Sequence, residues 1–278
     1  MTLPEALTLV FHATEPHPRE DRLSAVYEPL HVAAPAGRPA VIVNMVQTMD
    51  GAVAVDGRAW HLGSEVDHYL FRTLRGWADA VWTGAGTLRR NDVIARTHPH
   101  LQARRRSEGR SANPLAIVVS RRAQFREDVL RKHFFADRDF ASIVLTTDLI
   151  AEVDRRRIEE AGAAVWIAPA TPTGDVHLSQ ALAMFIERGI TRVLAEGGPE
   201  ANRRLAGAGV IDELFLTVTP KVAGVPAPAR LVAGILGGGQ AGLVPMSEYQ
   251  YRAPDLREWY LRFRVVSPFR LAADPPLG

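Results

Sequence analysis

Apolar, β-branched runs alternate along this chain with stretches of helical periodicity, the pattern of an α/β sheet and not of a sandwich or a bundle. Runs at Ala40–Met45, Ala80–Thr83, Leu115–Val119, Ser142–Thr146, Ala163–Ile167, Arg192–Ala195, Glu213–Thr219 and Glu258–Val266 predict strands, enough for one broad sheet. Ser64 precedes Val66, Tyr69, Leu70, Thr73, Leu74 and Trp77 at i, i+3, i+4, i+7, i+8 and i+11, so a helix capped by Ser64 buries that stripe. Arg75 lies nine residues after Val66, about 180° around the wheel, and points away from the core face. Further helices are predicted at Asp148–Ala161 before Gly162, at Ser179–Arg188 before Gly189, and at Pro199–Ala208, where Pro199 suits a first turn. The last two strand runs have no strong helix between them and are expected to pair antiparallel, which makes the sheet mixed. Residues 1–38, Arg104–Asn113 and Ser267–Gly278 read as loops or tails. With no internal repeat and no linker, the expected organisation is an extension over 1–38, one domain over 39–267 and a tail over 268–278.

Composition narrows the chemistry. At 278 residues, 47% hydrophobic and 23% charged, the chain has the make-up of a globular protein with a sizeable core. No run approaches the roughly 20 apolar residues of a membrane span, and the first residues lack a basic stretch followed by an apolar core, so a cytoplasmic protein without a membrane partner is expected. Cysteine is absent, which removes disulfides, thiolate nucleophiles and Cys-based metal sites. Of nine His, only His98 and His100 are close, and Pro99 between them fits no zinc spacing, so no metal is expected. All but two of the 33 basic residues are Arg, the exceptions being Lys132 and Lys221. That bias either favours forked contact with phosphate or carboxylate, or reflects codon composition. The Arg104–Arg106 run with Arg110 reads as a phosphate patch or as a solvated loop; it lacks the interleaved aromatics of a nucleic-acid surface, and no nucleic-acid partner is expected.

Four strand ends carry candidate groups. Asn44-Met-Val-Gln-Thr-Met-Asp50-Gly51 brings a carboxylate to the rim where open α/β sheets bind ligands, or makes a plain turn. Val81-Trp-Thr-Gly84-Ala-Gly86-Thr87 passes from a strand into a turn where a backbone can approach a phosphate and Thr87 can donate to it; the same spacing also makes an ordinary tight turn. Val118-Val119-Ser120-Arg121-Arg122 ends in hydroxyl and guanidinium groups suited to an adenosine 2′-phosphate, or in loop charges. Leu194-Ala-Glu196-Gly197-Gly198-Pro199 runs from a strand through two glycines straight into a helix, whose free N–H groups favour a pyrophosphate while Glu196 faces a ligand's polar edge.

In this order, Thr48-Met-Asp50-Gly51, Leu74-Arg75 with Ala78–Thr87, Asn113-Pro-Leu with Val118–Arg121, Ala195-Glu196-Gly-Gly-Pro199, and Val210-Ile-Asp212-Glu213 with Thr219-Pro-Lys221 resemble the reductase half of the bacterial riboflavin-biosynthesis deaminase/reductase and its stand-alone relatives. The resemblance implies a dihydrofolate-reductase-like three-layer fold, with a central mixed, mostly parallel sheet of about eight or nine strands flanked by helices. It also implies a homodimer that binds NADPH across the strand ends and reduces the ribosyl C1′ of a phosphorylated pyrimidine, through a ring-opened imine, to a ribitylamino product. Carried over, Val46, Gly84, Gly86, Thr87, Asn91, Ser120, Arg121, Gly197, Gly198, Pro199, Glu200, Ala201, Asn202, Arg203 and Arg204 match cofactor positions. Asn44, His61, Arg75, Arg96 and Glu196 match substrate positions, and Asp50 with Glu196 the catalytic ones. Three residues depart from the pattern. Ala59 and His61 stand where the bifunctional enzymes have Ser and Trp, and Asn91 stands where they have Asp. These departures keep open a different substrate on the same fold, dihydrofolate or a dihydropterin, and the Arg clusters keep open a non-catalytic nucleotide binder. The absence of Cys and the short segment before Arg38 lead us to expect a reductase without a deaminase domain.

Overall fold

The structure, a computed structural model, describes residues 3–54, 62–224 and 242–266. Eleven strands form one sheet: β1 (Ala6–His12), β2 (Arg19–Arg22), β3 (Ala40–Thr48), β4 (Ala80–Gly84), β5 (Leu115–Val119), β6 (Ser142–Thr146), β7 (Ala164–Ile167), β8 (Arg192–Ala195), β9 (Glu213–Thr219), β10 (Gly242–Ala253) and β11 (Leu256–Val266). The helices are α1 (Glu65–Trp77), α2 (Ala85–Arg90), α3 (Pro99–Ser107), α4 (Glu127–Leu130), α5 (His133–Ala136), α6 (Glu152–Ala161), α7 (Leu178–Glu187) and α8 (Pro199–Gly207). Strand order is β2-β1-β10-β11-β9-β3-β8-β4-β5-β6-β7. From β9 to β7 all pairs are parallel, and from β9 to β2 all are antiparallel, so the sheet is mixed and mostly parallel.

All eight predicted strands are present, and β9 pairs antiparallel with β11 as expected. The three additional strands correct the count of eight or nine. β1 and β2 arise from the extension read as a loop, and β10 from the connection between the last two runs. Leu7 and Leu9 alternate into a core with Leu23, Val26, α1 residues Val66 and Leu70, and Tyr249 and Tyr260, so the extension is built into the sheet.

Helices cover both faces. On one, Leu74 and Trp77 of α1, Leu88 of α2, Phe134 and Phe135 of α5 and Ile158 of α6 pack on Ile42, Val81, Val118 and Leu194. On the other, Leu182 and Phe185 of α7 and Leu205 of α8 pack on Val41, Val43, Trp82, Ile117, Val193 and Ala195. Each fully buried Leu or Phe of these clusters contributes about 1.5–3 kcal/mol. Ser64 caps α1 as predicted, its hydroxyl accepting from the Val66 and Asp67 amides at 3.2 and 3.4 Å.

The Arg-rich stretch departs from its reading as a loop, since Arg104–Ser107 belongs to α3. Arg105 is 1% exposed and donates to the carbonyls of Gly76, Ala78 and Ser111. Arg110 donates to the Trp77 and Ala78 carbonyls and to Asp79, and Arg104 pairs with Glu28. Arg105 and Arg110 thus satisfy the carbonyls left open at the end of α1, and these guanidinium groups serve the fold instead of a phosphate.

Candidate functional site

β8 is the point at which the site is assembled. The chain passes from β3 through α1 to β4, steps outward to β7, and returns through α7 to insert β8 between β3 and β4. At such a switch the loops diverge and leave a crevice at the carboxyl ends of the strands. Here the turn after β8 meets the turn after β4. The Gly84 amide donates to the Gly197 carbonyl at 3.3 Å. A Cβ at Gly84 would lie 3.2 Å from the Ala201 Cβ. Gly198 has φ +87°, a region that favours glycine, and a Cβ there would sit 2.9 Å from the Thr87 hydroxyl. The two glycine turns therefore form one cradle.

A cleft of about 590 Å³ opens over that cradle. Gly84, Gly86 and Thr87 line it with Ser120 and Arg121 at the end of β5, and with Gly198, Glu200, Ala201 and Arg204 at the start of α8. α8 begins without a side-chain cap. Pro199 has no N–H, so the Glu200 and Ala201 amides are the donors this helix end offers an anion. The turn at Ser120 is fixed from below. Its hydroxyl accepts from the Ala123 amide at 3.1 Å, Ala123 has φ 51°, and the buried Thr146 and Thr147 hydroxyls both donate to the Arg121 carbonyl at 3.1 Å. Arg121 and Arg122 project from this braced turn into solvent.

Other expected cofactor positions stand off the cleft lining. Val46 lies on β3 beside Thr217. Asn91 ends α2 and its carbonyl accepts from the Lys132 ammonium at 2.9 Å. Gly197 and Pro199 contribute backbone to the turn. Arg203 is paired with Glu200 through both of its carboxylate oxygens, at 2.8 and 2.6 Å. Asn202 is 1% exposed; its amide nitrogen points at the Met45 sulfur, 3.1 Å away, and its oxygen has no partner. Sequence reasoning missed Trp82, Arg89, Arg90, Gln124 and Leu178, which also line the cleft. Arg89 and Arg90 follow Thr87 on α2 and were within reach of a local argument. Leu178 arrives from α7, and nothing near Gly84 or Gly198 in the sequence announces it.

Three of the expected substrate positions, Asn44, Arg75 and Glu196, lie on the other face. Val43 pairs with Ala195; one step further, the pleat turns Asn44 and Glu196 toward the α1 face. Asn44 is buried. Arg75 is not on the solvent side of α1 that the helical wheel suggested: it is nearly buried, and its Nε and Nη2 donate to the two Glu196 oxygens at 2.5 and 2.8 Å. The side chains are 11% and 6% exposed. Burial pushes the Glu196 carboxyl up from its ordinary value, while the Arg75 charge and hydrogen bonds oppose that. Arg96 approaches through its carbonyl, which accepts from Arg75 Nη1 at 3.3 Å. Its guanidinium turns to Asp137 and Asp139, so the structure does not bring it to Glu196. Asp50 accepts from the Thr48 hydroxyl at 2.5 Å and from the Ala223 and Gly224 amides at 3.1 Å each, tying the loop after β3 to the loop after β9. The hydroxyl, then the amides, hold its carboxyl down to about 2. His61 lies outside the described residues, as do Ala59 and the adjacent Trp60. Among the described residues no acidic or His cluster could hold a metal ion, and no helix is long and apolar enough to cross a membrane.

Comparison with known proteins places the chain in a family and a fold. Residues 39–238 match the family model of the RibD C-terminal domain. Two curated relatives are named 2,5-diamino-6-ribosylamino-4(3H)-pyrimidinone 5′-phosphate reductase. That of Methanothermobacter thermautotrophicus is 28% identical over 71% of this chain and 85% of its own length. That of Archaeoglobus fulgidus is 25% identical over 66% and 81%. In structure, the chain resembles a pyrimidine reductase-like protein of Corynebacterium diphtheriae, with TM-score 0.70 and 20% identity over 88% of this chain and 98% of that one. It also resembles the riboflavin biosynthesis reductase of Saccharomyces cerevisiae, with TM-score 0.60 and 17% identity over 84% and 93%. These likenesses show the expected dihydrofolate-reductase-like fold.

Proposed function

The chain belongs to the RibD C-terminal domain family, and from that premise we propose that it is an NADPH-dependent reductase converting a ribosylaminopyrimidine 5′-phosphate to its ribitylamino form in riboflavin synthesis. The observation that carries this reading is the contact of the two glycine turns, with an arginine-lined cleft on one side of β8 and a buried carboxylate on the other. The residues fit the cofactor. A side chain at Gly198 would fill the cradle, the Thr87 hydroxyl and the Glu200 and Ala201 amides suit the pyrophosphate, and Ser120 suits the adenosine ribose. Arg121 and Arg122 line the cleft beside Ser120 and offer forked cations suited to a 2′-phosphate, which supports NADPH over NADH. When bound, NADPH supplies the hydride.

The protein's own residues then have three tasks. The turns before α2 and α8 would hold the cofactor's middle through the Thr87 hydroxyl and the Glu200 and Ala201 amides, which limits the poses its reactive end can take. Glu196 offers two oxygens to the amino-substituted edge of the pyrimidine, and Asn44 lies beside it on the same face. Asp50, ionised throughout the neutral range, braces the loops bordering that face and is unsuited to donating a proton. Rate acceleration comes from alignment more than from acid–base chemistry.

Incubating the purified protein with NADPH and the diamino form or its deaminated counterpart tests the reading. Consumption of NADPH is expected, and the names of the curated relatives put the diamino form first. No turnover with either rejects the reading, and faster turnover of dihydrofolate reassigns the substrate. A homodimer belongs to the same proposal. Val218, Leu261, Phe263 and Val265 remain partly buried along one face of β9 and β11, and Leu243 beside them is 44% exposed. Phe263→Glu is expected to shift sedimentation toward the monomer; a wild type that sediments as a monomer removes this part.

A further inference from the structure

We infer that Trp82 is a further cofactor-binding residue, whose indole N–H donates a hydrogen bond to a ring nitrogen of the cofactor's adenine on the apolar wall of the cleft. This rests on the reductase reading above and adds a residue to which neither the strand-end motifs nor the family resemblance pointed.

Trp82 sits within β4, paired with Ile117 of β5 and Ala195 of β8. Its side chain belongs to the core on the face covered by α7 and α8, where the ring packs edge-on against Phe185 with centroids 5.9 Å apart. The residue is 2% exposed, and its Nε1 has no hydrogen-bond partner. An indole nitrogen is a donor only, and burying a donor without an acceptor costs stability. A phenyl ring at this position would pack in the same core without that cost. Among the described residues, Trp82 alone combines a buried, unpartnered side-chain polar atom with a place in the lining of the cleft. An unmet donor beside a ligand cleft is explained by a ligand that brings the acceptor.

The surroundings select which part of the cofactor this is. Val119 and Leu178 pack in the same apolar cluster as Trp82 and line the cleft with it, both half-buried. A phosphate on such a wall would give up its hydration for a single neutral donor, whereas Thr87 and the start of α8 offer it several. The wall suits a flat ring with apolar faces and lone pairs at its edge. Adenine has those lone pairs on its ring nitrogens; the nicotinamide ring nitrogen is bonded to ribose and accepts nothing. Val119 immediately precedes Ser120, whose turn suits the adenosine ribose, so the base of the same nucleoside falls beside this wall. Leu178, in the first turn of α7, has the rotamer freedom to let the base reach the indole edge.

The test compares wild type with Trp82→Phe, which keeps a flat ring and removes the N–H, by calorimetric titration with NADPH and with adenosine 2′,5′-bisphosphate, which carries the adenine but no nicotinamide. Both ligands are expected to bind Trp82→Phe about five- to tenfold more weakly, the loss of one buried hydrogen bond. In wild type with isotopically labelled tryptophan, the indole N–H resonance that is missing from Trp82→Phe is expected to move downfield when the bisphosphate is added. Equal affinities of the two proteins for NADPH overturn the inference, as does a resonance that stays in place. A loss confined to NADPH puts the contact on the nicotinamide half and overturns it too. Should Trp82→Phe fail to fold, the wild-type spectrum decides by itself, because no indole resonance moving downfield with the bisphosphate rejects the contact. A wild type that binds neither ligand overturns the cofactor reading, and the inference falls with it; a wild type that binds both, with Trp82→Phe unchanged, overturns the inference alone.

Discussion

On the cleft side of the β8 end, Arg89, Arg90, Arg121, Arg122 and Arg204 line the cleft with Glu200, which Arg203 already engages, while Asp175 pairs with Arg204. On the α1 side, Arg75 and Glu196 are almost wholly buried and cancel each other. The first side has excess positive charge in reach of water, and the second has none to spare. An exposed excess costs little to maintain and recruits a highly charged anion such as a phosphorylated dinucleotide. A buried pair is costly to break and gives an oriented, weakly charged acceptor suited to the amino groups of a ring. On the proposed function, one strand end thus separates charge attraction from shape-specific recognition.

The sharpest way to break this contrast is Glu196→Gln, which leaves the Arg75 guanidinium buried without a counter-charge. A stability loss of about 3–5 kcal/mol is expected in denaturant unfolding, together with loss of turnover. An unchanged midpoint would mean that the pair is solvated.

A second buried carboxyl on the α1 side extends the comparison. Burial raises Asp67 from 3.8 to about 7, opposed by the Thr217 hydrogen bond and reinforced by Glu258. The folded chain holds this proton more tightly than the unfolded one, so its stabilising effect is complete below about pH 4 and is lost as pH rises to about 7. Asp67→Asn should remove that slope and raise stability near pH 8 by up to about 4 kcal/mol. Melting temperatures of the two proteins that stay parallel from acid to alkaline pH would count against it.

On the cleft side the expected effects are smaller and fall on binding. Gly198→Val places a β-branched side chain at φ +87° against Thr87 and should weaken NADPH binding about ten- to a hundredfold by fluorescence titration, as expected for about 1–3 kcal/mol of strain. Arg122 makes no hydrogen bond or ion pair among the described residues. Arg122→Ala should cost NADPH about tenfold and leave NADH affinity unchanged; equal losses for both cofactors would move the 2′-phosphate elsewhere.

Much of this molecule was legible before folding. The eight apolar runs, the Ser64 cap and the stripe from Val66 to Trp77 are local patterns, because burial on one face repeats at the period of the element. The strand-to-glycine junctions at Gly84 and Gly198 were visible for the same reason. β2, with the sequence Arg-Glu-Asp-Arg, has no apolar signal and exists by pairing with β1. β10 carries Pro245, Glu248 and Gln250 and is held between β1 and β11. α3 buries Leu101 and Arg105, and an arginine gives no warning that it will cap another helix.

For the site, the sequence determined which residue types stand at the strand ends, because that depends on spacing along the chain. Which of those ends meet was decided only by the tertiary structure. β8 enters between β3 and β4 from more than a hundred residues beyond β4, and it is this insertion that sets Gly198 against Thr87 and Glu196 against Arg75. The energies of those contacts depend on distance and burial across the fold, and neither quantity is encoded in any local stretch of the chain.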